Sequence, residues 1–267
     1  GVNTMAGYFG TEQQIKLQQR AEERYGWTMK TPGACCNVRT LGTDDPDALG
    51  FDSIFEVLAE DGVFGFRLLE KARQPDLENA LTENGYRLDT WDVFVGDTNA
   101  IRDATRPTLS TALPGGIRAF SELDGAEGRL TRSFQEFMAA AGIAPFSGSF
   151  LNGDHGAVVS VGLMDDAGCL AACAHAYLPH NHHSPYHSYA WGGLVAVAPE
   201  HRGKGLGTYV NALMADAALT RLSATHVYEL VAATNTTSRR MVEGCGLSLS
   251  QELYSGLATR GAERFTR

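Results

Sequence analysis

Apolar residues run unbroken through Leu194-Val195-Ala196-Val197 and then recur at 206, 210, 213, 214, 217 and 218. The first pattern predicts a buried strand over 189–197, and the three-and-four spacing of the second predicts an amphipathic helix. Further strands are predicted at 157–164, 169–178, 226–233 and 247–254, with Asp165-Asp166-Ala167-Gly168 turning the first two into a hairpin. Asn235 or Thr236 can cap a short helix that Gly246 ends in the left-handed conformation.

Towards the N-terminus the signals mix. Residues 11–24 are strong helix formers with few apolar anchors, which predicts a surface helix packed along a narrow stripe. Residues 31–46 read as loop, 51–58 as a short helix, 63–69 as a strand and 75–84 as a helix stopped by Gly85. Residues 87–95 alternate as a half-buried strand does. The Pro-, Gly-, Ser- and Thr-rich stretch 106–116 is the best boundary. It divides the chain into an N-terminal α+β domain over 1–110 and an α/β domain with a mixed sheet over 115–267. Within the second, 117–122 is the first strand, 128–141 is helical and 145–154 is irregular.

The segment between the central strand and its helix, Pro199-Glu200-His201-Arg202-Gly203-Lys204-Gly205-Leu206-Gly207, carries the chemistry. The first amides of a helix lack carbonyl partners, and the aligned peptide dipoles leave partial positive charge there. Glycines let that main chain approach an anion closely, and Arg202 and Lys204 add attraction at longer range. The nucleotide-triphosphatase loop is excluded because Lys204 is followed by Gly205. The dinucleotide fingerprint is excluded because glycines 203, 205 and 207 are evenly spaced.

What remains, Arg-x-x-Gly-x-Gly over 202–207 after a Val-x-Pro-Glu-His corner, resembles the GNAT superfamily of N-acetyltransferases. A second block, Asn235, Ser238, Met241, Gly246 and Leu247, matches family spacing with Leu247 in place of an aromatic. The resemblance implies the GNAT acyl-CoA N-acyltransferase fold for the C-terminal domain, with acetyl-CoA as co-substrate. Its pyrophosphate would rest on Arg202, Gly203, Lys204, Gly205, Leu206, Gly207 and Thr208, its pantetheine along Val195, Ala196 and Val197, with Asn235 and Ser238 completing the cofactor site. Val242 departs from the pattern, since a tyrosine that protonates the leaving thiolate often stands there. The helix, glycine and strand of the N-terminal portion faintly echo the end of a GNAT domain without the phosphate turn. Scaffolding, dimerisation or cleft covering are the roles left to it.

Composition narrows the partners. With 267 residues, 43% hydrophobic and 20% charged, the chain suits a soluble globular protein, and no run of about 18 apolar residues exists to span a bilayer. A net charge of −9 argues against nucleic acid. The start lacks a basic-then-apolar export segment, which makes the cytoplasm the expected compartment. Five cysteines form no disulfide framework, and Cys169 and Cys173 read as small core residues.

Four histidines crowd into 180–187, but neither cysteines nor regularly spaced His pairs accompany them, so no metal is expected. The loop reads as solvated, or as the mouth of the acceptor pocket, with His183 there. Strand parity aligns Trp191 and Gly193 with the acyl site, Gly193 leaving room and Trp191 forming a wall. Tyr189, His187 and Glu229 are the candidate bases, each weakly placed. The expected function is acetyl transfer to a small-molecule or peptide amine by direct attack. A coenzyme-binding regulator without turnover and a transferase using another acyl donor are the alternatives.

Overall fold

Thr11 opens the first helix, α1 (Glu12–Glu23), with a reciprocal cap. Gln14 N donates to Thr11 Oγ1 at 3.1 Å while Thr11 N donates to Gln14 Oε1 at 3.0 Å. The computed structural model describes residues 2–261, apart from the side chains of 2–4. Gly1 and 262–267 lie outside the described residues.

Strands β1 (Val2–Met5) and β2 (Tyr8–Thr11) pair as a separate antiparallel hairpin. The main sheet is built from β3 (Ala34–Cys36), β4 (Leu41–Thr43), β5 (Val63–Glu70), β6 (Tyr86–Asp97), β7 (Arg118–Phe120), β8 (Val158–Met164), β9 (Leu170–Tyr177), β10 (Tyr189–Val197), β11 (His226–Val231) and β12 (Ser248–Arg260). The remaining helices are α2 (Tyr25–Lys30), α3 (Pro46–Leu49), α4 (Phe51–Asp61), α5 (Gln74–Glu83), α6 (Thr98–Leu109), α7 (Arg129–Ala140), α8 (Gly148–Asn152), α9 (Leu206–Arg221) and α10 (Thr236–Glu243).

The strand order β3-β4-β5-β12-β6-β11-β10-β9-β8-β7 is a palindrome over its first eight members. β4 is parallel to β5 and antiparallel to β3, and β10 is parallel to β11 and antiparallel to β9. Between these halves two strands are exchanged. β6 lies antiparallel between β11 and β12, and β12 lies antiparallel between β5 and β6. The strand–helix–strand unit β5-α5-β6 is thereby matched by β11-α10-β12, each half lending its last strand to the other. The N-terminal echo is a second copy of the same arrangement. At the place corresponding to the glycine turn it carries Asp44-Asp45-Pro46-Asp47, whose carboxylates repel an anion.

Several expectations are corrected. Residues 31–46 are not loop, since β3 and β4 form there and are buried throughout. The stretch 106–116 begins inside α6, which Asp97 caps through Ala100 N at 2.9 Å and in which Pro107 occupies the last turn. That helix packs on α9, which buries Asn211, Ala212 and Ala215 as well as its expected apolar stripe. The irregular stretch 145–154 contains α8. Cys173 is buried as expected, whereas Cys169 precedes its strand and is exposed. All five cysteines are free thiols.

Phe134 and Met138 of α7, Phe146, and Leu151 of α8 are fully buried on one face of the sheet. Val210, Met214 and Ala218 of α9 are buried on the other. Each large apolar side chain so placed contributes roughly 1.5–3 kcal/mol. The two layers hold β10 and β11 rigidly between them.

Candidate functional site

At the N-terminus of α9 the chain passes through two left-handed glycines, Gly203 at φ 78° and Gly205 at φ 76°. Gly205 is the cap and offers no side chain, so the amides of the first turn are left to other acceptors. Among the described residues no backbone or side-chain acceptor takes the amides of Gly203, Lys204, Gly205, Leu206, Gly207 or Thr208, and the first main-chain bond of the turn runs from Tyr209 N to Gly205 O at 3.1 Å. Arg202 and residues 203–205 are exposed. The result is an open, electropositive patch of backbone donors.

The adjoining strands separate. Parallel pairing of β10 with β11 covers Tyr189 to Trp191 against His226 to Tyr228 and ends there. On the other edge the register with β9 shifts between Gly193 and Ala196, where Leu194 adopts φ 56°. This bulge turns the second half of β10 away from β11. The split opens a cleft of about 460 Å³ that runs from Val195, Asn235, Ser238, Met241 and Val242 past Trp191, Gly193 and Glu229 to Asn37, Arg39, Thr40 and Arg67 of the N-terminal half.

Glu229 lies on the α9 side of the cleft, only 4% exposed, with Oε2 unbonded. Burial pushes its carboxyl up to about 7. The Asn211 side chain lies near enough to favour the charged form, although neither of its polar atoms makes a hydrogen bond of ordinary geometry. Gly192 lies opposite, where a Cβ would stand 2.6 Å from Met214 Cε and 3.3 Å from Glu229 Cγ.

The other face holds a buried polar chain. Arg67 donates to Tyr228 Oη at 3.3 Å and to Tyr177 Oη at 3.4 Å. His180 Nε2 lies 2.9 Å from Tyr228 Oη, and its Nδ1 lies 2.8 Å from Asp44 Oδ2. Burial depresses the His180 pKa, which keeps the ring neutral, donating to Asp44 and accepting from Tyr228. Tyr177 Oη donates to Cys36 O at 2.7 Å.

Of the residues expected from the sequence, Trp191, Gly193, Val195, Glu229, Asn235 and Ser238 meet in this cleft. Asn235 caps α10, accepting from Ser238 N at 3.0 Å. Ala196 and Val197 pair with Cys173 and Ala172 of β9, and Val197 Cγ2 faces Gly207. Three residues fall elsewhere. Tyr189 stacks on His226 with ring centroids 4.2 Å apart at the far end of β10. His187 is exposed, its Nδ1 3.0 Å from Ser184 O. His183 borders a separate cavity of about 570 Å³ beside Asp45, Asp47 and Glu70. That cavity is the larger, but the smaller one adjoins the glycine turn, with Sδ of its lining residue Met241 3.6 Å from the position of a Cβ on Gly207, and is the candidate site.

The histidine loop is only partly solvated, since His180 and Asn181 are buried and Asn181 Nδ2 donates to Thr28, Thr31 and Ala34 carbonyls at 2.8–3.1 Å. Among the described residues no group of three or more His, Cys, Asp or Glu is placed to hold a metal ion, and no helix is long and apolar enough to cross a membrane. Arg67 and Arg39 are the site residues that the pattern did not single out. The available signal was an arginine inside the apolar run Val63-Phe64-Gly65-Phe66-Arg67-Leu68-Leu69.

Among curated proteins none matches this chain. Solved structures share its fold at low identity. A GCN5-related N-acetyltransferase from Kribbella flavida is 14% identical with a TM-score of 0.59, over 94% of this chain and 98% of that one. A tandem GNAT protein from the clavulanic acid biosynthesis pathway, without AcCoA, is 16% identical with a TM-score of 0.51, over 84% and 76%. A GCN5-related N-acetyltransferase from Sphaerobacter thermophilus is 14% identical with a TM-score of 0.50, over 85% and 76%. The profile of the acetyltransferase (GNAT) family matches residues 125–247, the segment that contains the bulged strand, the glycine turn and the α10 block. The chain has the GNAT fold, and its residues 125–247 match the acetyltransferase (GNAT) family, which supports an acyl-transfer function.

Proposed function

We propose that this chain is an acetyl-CoA-dependent N-acetyltransferase. The observation that carries the reading is the row of unpartnered amides from Gly203 to Thr208, set beside the split between β10 and β11. The amides would hold the pyrophosphate with help from Arg202 and Lys204. The pantetheine would follow the unpaired edge of Gly193 and Val195 into the cleft, and bring the thioester beside Trp191 and Glu229.

In this mechanism Glu229 takes a proton from the acceptor ammonium, and the neutral amine attacks the thioester carbonyl to form a tetrahedral oxyanion. Backbone amides of the β10 bulge would stabilise that charge. The attacking nitrogen then gives its second proton to a water, the C–S bond breaks as the amide forms, and the leaving coenzyme thiolate takes a proton from that water because Val242 supplies none. A carboxyl of pKa about 7 suits the base role, being largely ionised at neutral pH while still able to hold a proton. Most of the acceleration comes from positioning.

Titrating the full chain with acetyl-CoA by calorimetry, then following free thiol release with a panel of amines and peptides, tests the reading. Saturable coenzyme binding with thiol release is expected, and absence of coenzyme binding would sink it. One observation favours a second reading. Val242 is 1% exposed and lines the cleft where a proton-donating phenol often stands. Coenzyme binding with no thiol release across the panel would make the chain a coenzyme-responsive regulator, and release only from longer acyl-CoA donors would reassign the donor.

A further inference from the structure

We infer that the acceptor amine also carries a carboxylate, received by Arg67 and Arg39 at the end of the cleft contributed by the N-terminal half. The inference rests on the transfer reading above and names the acceptor class for the same site.

Arg67 is 5% exposed and lies over the Trp191 ring at 5.3 Å. Arg39 lies over the Phe146 ring at 5.1 Å, and Phe146 stacks on Trp191 with centroids 5.7 Å apart. Two guanidiniums therefore flank one aromatic pair. Among the described residues neither makes an ion pair. Arg39 has the Ala144 carbonyl at 3.1 Å, and Arg67 has only the two long bonds to tyrosine hydroxyls. The carboxylate joined to this network, Asp44, is reached only through Tyr228 and His180.

That arrangement is costly in an empty site, because a buried charge without a counter-ion loses hydration and regains little. Here the two charges also oppose one another. Burial, and secondarily the Arg67 charge, push the Arg39 pKa down to about 10. The chain is not short of acidic groups, having 31 Asp and Glu against 22 Lys and Arg, and it pairs Arg20, Arg73 and Arg239 with carboxylates at its surface. Among the described residues Arg67 is the arginine buried most fully, and it has no carboxylate partner.

A ligand carboxylate offsets both charges, and the guanidinium fork matches its two oxygens. Trp191 Nε1 is buried in the same wall with no acceptor, which adds a donor. Trp91, Ile143 and Leu257 line the cleft with apolar surface. Glu229 stands in the C-terminal half as the group that faces an ammonium. The cleft is thus cationic at one end and anionic at the other, which is the polarity of an amino acid with an apolar side chain.

The test uses the full chain and N-acetyl-L-phenylalanine against its primary amide, titrated by calorimetry without coenzyme. The carboxylate is expected to bind roughly tenfold or more tightly than the amide. That preference should disappear in Arg39→Gln and Arg67→Met and survive in part in Arg67→Lys. Should Arg67→Met fail to fold, Arg39→Gln decides, because Arg39 is bonded to only one backbone carbonyl. Equal affinity for the pair, or binding of neither at millimolar concentration, overturns the inference, and so does tighter binding of phenyl phosphate. Acetyl-CoA titration and thiol release are measured on the same samples. Phenethylamine acetylated as well as phenylalanine overturns the acceptor class and leaves the transfer reading standing. No coenzyme binding overturns both.

Discussion

Trp191 and Tyr228 face each other across the last paired rung of β10 and β11, and beyond them the strands part. Gly192 and Glu229, the next residues on each strand, no longer pair with one another and line the cleft, while Gly192 stays paired with Ala176 of β9 and Glu229 with Phe94 of β6. The termination of pairing creates the site, since it frees main-chain groups on one strand and exposes a buried carboxyl on the other.

Gly205→Ala should weaken acetyl-CoA binding about tenfold. A Cβ at Gly205 meets nothing within 4 Å, so the exposed turn of the free variant relaxes from φ 76°, and returning an alanine to that angle on binding costs about 1–2 kcal/mol. Calorimetry compares the variant with Arg202→Glu, whose smaller effect should fade as salt is raised.

Glu229→Gln should abolish the pH dependence of transfer near neutrality. The ionised carboxylate is the active form, so kcat/KM in the parent is expected to rise with pH and level off above about 7. Stability has the opposite slope. A carboxyl raised from 4.5 to about 7 on folding binds more protons in the native state between those values, so stability is lost as pH rises through that window, by up to about 3 kcal/mol. Urea titrations at acid and neutral pH should show this loss in the parent and not in the variant.

His175 should govern an acid transition of the other sign. Burial lowers its pKa from 6.5 to about 3, and Ser160 Oγ lies 2.8 Å from Nδ1 while donating to Leu151 O at 2.7 Å. Its contribution is complete above pH 6.5 and is lost as pH falls towards 3, up to about 5 kcal/mol in all. Acid unfolding followed by near-ultraviolet circular dichroism should begin at lower pH in His175→Gln, provided that variant folds at neutral pH.

Gly246→Ala should be severely destabilising. The residue sits at φ 89°, and an added Cβ would lie 2.4 Å from Ala100 O, which neither a rotamer change nor a side-chain shift relieves. A loss of about 3 kcal/mol or more is expected in thermal or urea unfolding. Gly203→Ala, with open space around it, should lose about 1 kcal/mol.

Residues 115–267 expressed alone should not fold to a monomer of native stability. β11 and β12 are joined through β6, and removing β6 leaves two unpaired edges inside the sheet. Hydrogen exchange on the truncated chain should show β11 and β12 unprotected, and co-expression with residues 1–110 should restore them.

The sequence by itself determined the strand, glycine turn and helix over 189–221, because a change of hydrophobic period and the glycine conformations are local properties. It also carried the Asn235 cap and the left-handed Gly246, which arise within a few residues. It missed α6, whose capping Asp97 is local but whose apolar face is defined only by α9 above it. Tertiary structure alone decided that β6 and β12 change places, since strand pairing is a long-range choice between edges of similar pattern. It also decided which polar residues face the cleft. Glu229 and Arg67 sit in apolar strands whose sequences look alike, and only the splitting of β10 from β11 determines that one carboxyl and one guanidinium are buried across a shared cavity while Tyr189, His183 and His187 are carried away from it.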